Sequence, residues 1–140
     1  MYQRDYVLRL IEQFGRVLVA LRNRILRREA DAADVRAEVH EMARQAGLDL
    51  DIARSLDPGM LLIWLAPTGD VDPPKFWLLA ELLYLDALQA RQGTAGSGGH
   101  TDLERALALF SRLPPDWRPF DEFASAGERA GEVRRLLDEG

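Results

Sequence analysis

Val7, Ile11, Phe14, Leu18, Leu21 and Ile25 recur at alternating steps of four and three residues. That is the spacing of one helical face, and it predicts a first helix from about Arg4 to Glu29. A second apolar stripe of Leu8, Val19 and Leu26 runs beside the first. Gly15 interrupts good helix formers at a cost of roughly 1 kcal/mol, so it is expected to let another backbone approach closely. Asp31 or Asp34 supplies an N-cap for a second helix with Val35, Val39, Met42 and Ala46 inward and Gly47 as its stop. So short a link predicts an antiparallel hairpin.

Asp57-Pro58 and Asp72-Pro73 are helix-start signals, because proline in the first turn sacrifices no bond and fixes φ. They predict a short third helix ending before Pro67 and a fourth from Pro73 to Arg91 or Gln92. The fourth is apolar on nearly every side, so neighbours must enclose it. "GTAGSGGH", from Gly93 to His100, reads as a loop of small residues that buries little. Thr101 or Asp102 is expected to cap a fifth helix with Leu103, Ala106, Leu107, Phe110 and Leu113 inward, stopped by Pro114-Pro115. A sixth is expected from Phe120 or Asp121 to about Asp138, with Phe123, Ala130, Val133 and Leu137 on one face. No stretch alternates as a strand does. The expectation is one all-α domain over 1–140, with about six helices in antiparallel hairpins. It divides into an N-terminal hairpin (1–47), a short helix with its connections (48–72), a longer hairpin (73–113) and a C-terminal helix (114–140).

Phe76, Leu79, Ala80 and Leu83, followed by Ala106 and Phe110, resemble the two helices of a degenerate tetratricopeptide repeat. The chain departs from that motif in a longer first helix and an early Pro114. "RDYVLRLIEQFGRVL", "AGLDL" and the later hairpin together resemble a family of short bacterial proteins that carries only a domain-of-unknown-function label. These resemblances imply a repeat-like helical array and a bacterial origin, and no activity.

With 47% hydrophobic residues among 140, the chain can bury a real core. It has no cysteine, which excludes disulfides, thiolate metal sites and cysteine nucleophiles. A net charge of −5 gives no general attraction to nucleic acid or anionic membrane. Arginines and an acid interrupt the start, "MYQRDYVLRL", where a signal peptide needs an apolar run, and Glu81 and Asp86 interrupt the most apolar helix. The expectation is a cytoplasmic protein with no membrane span.

Candidates for chemistry are few. "HEMAR" at His40 begins like a zinc-protease helix, but Arg44 stands where the second histidine belongs. Glu38, His40 and Glu41 read as a solvated face, and no metal or cofactor is expected. The glycine loop lacks the lysine and hydroxyl residue of a phosphate-binding loop. Glu81 and Asp86 lie about 140° apart on an ideal helix, so they form no carboxylate pair; a buried carboxylate held by an arginine is the expected role. Arg22, Arg24, Arg27 and Arg28 favour the negative end of the first helix, with an anion contact as the functional alternative.

These features point away from catalysis and toward a protein-interaction or self-association module. A homodimer is expected, through Leu8, Val19 and Leu26 with Gly15 at the crossing, or failing that through Trp77 and Tyr84. The alternative is a small enzyme or ligand binder. Its mark would be a groove where Glu81, arginines and a tryptophan converge.

Overall fold

The computed structural model describes residues 2–93 and 99–139. These form seven helices and no strand. They are α1 (Tyr2–Leu26), α2 (Ala32–Gln45), α3 (Leu50–Ser55), α4 (Pro58–Leu65), α5 (Pro73–Gly93), α6 (His100–Phe110) and α7 (Ala126–Glu139). Residues 94–98 of the expected glycine loop lie outside the described part.

The aspartate start signals act as expected. Asp31 Oδ2 accepts from the amides of Ala33 and Asp34 at 3.1 and 3.2 Å. Asp57 Oδ1 accepts from Met60 N at 2.8 Å. Asp49 does the same for Ile52 N at 3.0 Å and begins α3, which apolar spacing alone did not predict; so short a helix has too few turns to show a period. α7 starts at Ala126 rather than Phe120 or Asp121. Ser125 Oγ accepts from Glu128 N at 3.2 Å and Glu128 Oε1 accepts from Ser125 N at 2.9 Å, a reciprocal capping box. These bonds hold the Glu128 carboxyl below its ordinary pKa.

Gly99, not Thr101 or Asp102, caps α6. It has φ of 78°, and a Cβ there would stand 2.8 Å from the Ala87 backbone. Conformation and close approach to α5 both require glycine at this end of the loop. α1 stops at Leu26 rather than Glu29. Arg28, with φ of 60°, closes it by donating to Ile25 O at 3.0 Å, and Glu29 N donates to Arg24 O at 2.8 Å.

Every residue from Phe76 to Leu88 of α5 is buried. α1, α2 and α6 pack around it, α7 packs on α6, and α4 also rests on α6. α1 and α2 touch each other lightly and dock chiefly on α5. That docking covers the α1 stripe of Val7, Ile11, Phe14, Leu18, Leu21 and Ile25. Phe76, Leu79, Ala80, Leu83, Ala106 and Phe110 are all buried as well.

Candidate functional site

The first candidate is a cleft of about 280 Å³ whose lining includes Arg22 and Asn23 of α1, Glu81 of α5, and Arg129 and Glu132 of α7. Leu18, Val19 and Phe123 form its apolar wall. Arg129 grips Glu81 with two parallel bonds, Nε to Oε1 at 2.9 Å and Nη2 to Oε2 at 2.8 Å. Its Nη1 donates to Glu132 Oε1 at 2.8 Å, and its guanidinium lies 4.8 Å from the Tyr84 ring centroid. Glu132 Oε2 accepts from the Tyr84 hydroxyl and from Arg22 Nη2, the latter at 3.0 Å.

Burial alone would pull Arg129 down, but the charge and hydrogen bonds of Glu81 outweigh it and raise its pKa. Burial and the bond to Glu132 push the Tyr84 phenol up to about 12. Burial would raise Glu132, yet the Tyr84 bond and the two arginines hold it below 4.5. Two arginines therefore face two carboxylates in a mutually satisfied network. It cements α1, α5 and α7 and leaves none of these four ions unpaired for acid–base work. Its groove holds the expected glutamate and arginines, but no tryptophan joins the lining. Trp77 lies in the core with its ring edge-on to Phe123 at 5.2 Å.

A second buried network lies on another side of α5, as the angle between Glu81 and Asp86 predicts. Arg54 of α3 donates to Asp86 at 2.7 Å and pairs with Asp102 of α6 at 3.1 Å. Arg105 pairs with Asp102 at 2.7 Å and donates to Leu56 O at 2.6 Å. Both carboxylates of α5 are thus buried and held by arginine. His40 spans Arg36 O at 2.9 Å and Asp51 Oδ1 at 3.1 Å, linking α2 to α3. Among the described residues no group of three or more histidines and carboxylates is placed to hold a metal ion.

The residues expected at an interface fall in different places. Val19 and Leu26 are 43% and 49% exposed, and Leu8 is half-buried. Gly15 does not await a partner backbone: its open side faces the ring of Phe123, 3.5 Å from where a Cβ would stand. Trp77 and Tyr84 are enclosed within the domain and offer a partner no surface. The four arginines form no single anion site. Arg22 turns into the cleft, Arg24 pairs with Glu38 of α2 at 3.6 Å, and Arg27 and Arg28 stay at the surface.

The second candidate is a surface the periodicity did not single out. α4, "PGMLLIWL", contains no polar side chain. Leu61 and Leu65 are buried, while Met60, Ile63 and Trp64 are 50%, 60% and 37% exposed. Those three fall within about 100° of arc on an ideal helix, so they form one continuous face. Its signal is legible in the sequence, since a helix apolar on all sides has apolar surface to cover on all sides, as α5 does. Ile52 of α3 is exposed as well. No described helix is long and apolar enough to cross a membrane. Comparison with known proteins returned no matching family model, curated protein or solved structure.

Proposed function

We propose that this chain is a protein-interaction module and that α4 is its docking surface, occupied by a helix of a partner protein. The carrying observation is the exposed face of Met60, Ile63 and Trp64 on a helix with no polar side chain. Tryptophan and methionine are enriched at the centres of interfaces, and contiguous exposed apolar side chains mark contact sites. In this reading α5 and α6 form a degenerate tetratricopeptide-like hairpin, supported by the burial of its six motif positions. That hairpin acts as the rigid platform on which α4 is displayed.

Site-specific photo-crosslinking in cells tests the proposal. A crosslinker at Ile63 is expected to yield a discrete protein adduct, and one at exposed Arg135 of α7 is not. No adduct at Ile63, or equal adducts at both positions, refutes it.

A second reading is that the Arg22–Glu132 cleft binds a small ligand, favoured by its volume and its convergent charges. Its charges already satisfy one another, so a ligand must displace an internal ion pair, and we rank it behind α4. Ligand-induced chemical shifts confined to Arg22, Asn23 and Glu132 would reverse that order.

A further inference from the structure

A ligand in the Arg22–Glu132 cleft has to open an ion pair, and the two pairs inside it are unequal. Arg129 holds Glu81 with two parallel bonds at 2.9 and 2.8 Å, and both side chains are almost wholly buried. Arg22 meets Glu132 with one bond at 3.0 Å, and these side chains are 29% and 24% exposed. The Arg22–Glu132 pair is therefore the one that opens. Opening it creates two needs at once. Glu132 keeps Arg129 on Oε1 and the Tyr84 hydroxyl on Oε2, and lacks only the cation that Arg22 supplied. Arg22 loses the carboxylate it was paired with. A partly desolvated ion without its partner is penalised. A simple anion answers only Arg22, and a simple amine answers only Glu132. A molecule with an ammonium beside a carboxylate answers both and leaves the charge of the cleft unchanged.

The rest of the lining fits the same molecule. Asn23 and Glu122 are its exposed polar members. An asparagine amide donates to a carboxylate, and a glutamate accepts from an ammonium. Exposed Val19 and the Phe123 ring offer an apolar wall beside these groups. The volume of about 280 Å³ lies just under the roughly 300–1,000 Å³ of sites for drug-sized ligands, so the occupant is small. On the reading of this cleft as a ligand site, and independently of α4, we propose that it binds a zwitterion of the α-amino-acid class with an apolar side chain. Arg22 and Asn23 take its carboxylate, Glu132 and Glu122 its ammonium.

The test uses the full chain and four probes. They are L-leucine, glycine, leucinamide (no carboxylate) and N-acetyl-L-leucine (no ammonium). Calorimetry is run just below neutral pH, where an α-amino group is protonated. Leucine should bind at least about tenfold more tightly than leucinamide or N-acetyl-leucine, since each of these leaves one partly buried charge unanswered. It should also bind more tightly than glycine, which has no side chain for the wall. Leucine should shift the amide resonances of Arg22, Asn23 and Glu132. Arg22→Gln should abolish its binding. Asn23→Asp sets a like charge beside the bound carboxylate and should weaken leucine by about tenfold; Asn23 is exposed, so this variant keeps the fold. Leucinamide or N-acetyl-leucine binding as tightly as leucine, with shifts at the same three residues, overturns the zwitterion and leaves the cleft a ligand site. Glycine binding as tightly as leucine overturns the apolar side chain. Leucine binding that survives both variants places the ligand elsewhere and overturns the proposal. No binding of any probe at millimolar concentration overturns both the zwitterion and the ligand reading of the cleft.

Discussion

α4 and α5 share a sequence character and meet opposite fates. Both are apolar around most of their circumference, and both begin at an aspartate–proline pair. α5 is enclosed by α1, α2 and α6, so every residue from Phe76 to Leu88 is buried. α4 has a neighbour chiefly on one side, α6. The polar residues mark the difference in an unexpected direction. The helix with buried carboxylates is the enclosed one, and the helix with none is the exposed one. Glu81 and Asp86 are tolerated inside because Arg129 meets Glu81 with two parallel bonds and Arg54 meets Asp86 with one short bond. α4 needs no such partners and lacks a cover. All-round apolarity therefore says that a helix has apolar surface on every side, but not how much of it the rest of the chain covers.

The comparison can be broken most forcefully in α5. Glu81→Leu leaves the Arg129 guanidinium buried with half its partners gone, and should destabilise the fold by about 3–5 kcal/mol in urea unfolding. Adding Arg129→Met should recover most of that loss, since a well-packed apolar pair replaces a buried ion pair at little cost. If the single variant is neutral, the network does not cement α1, α5 and α7.

Within α4 the covered face should behave like core. Leu61→Ala removes a fully buried side chain and should cost about 2–5 kcal/mol, read as a lowered denaturation midpoint.

Alkali separates the two helices by another route. Tyr84 has a folded pKa of about 12 against an unfolded value of 10.0. Its contribution is complete below about pH 10 and is lost as pH rises through the folded value, because the unfolded chain gives up the proton first. Stability should fall by on the order of 2 kcal/mol across that window. Tyr84→Phe should flatten this part of the profile. On the acid side Glu132, held below 4.5, contributes above that value, and its contribution is lost as pH falls through the folded pKa.

The smallest expected effect sharpens the contrast best. Ile63→Ser, one position around α4 from a half-buried residue and two from Leu61, should change stability by less than about 0.5 kcal/mol and abolish the proposed docking. A loss comparable to that of Leu61→Ala would mean that Ile63 belongs to the core.

The sequence by itself determined the all-helical class, the α1 stripe that faces the core, the aspartate caps of α2 and α4, and the need to enclose α5. Each is a local property, written in a period of 3.6 residues or in one side chain reaching its own backbone. The Ser125–Glu128 box and the Asp49 cap were legible on the same terms, because each signal lies within four residues. Tertiary structure alone decided which arginine meets which carboxylate, since Glu81 and Arg129 are separated by 48 positions. It decided that Trp77 and Tyr84 are interior, that Gly15 faces the ring of Phe123, and that Gly99 is held against α5. It also decided that α6 covers one face of α4 while the other stays at the surface. A periodic pattern states which face seeks cover, whereas the neighbour that provides it depends on how all the helices share one core.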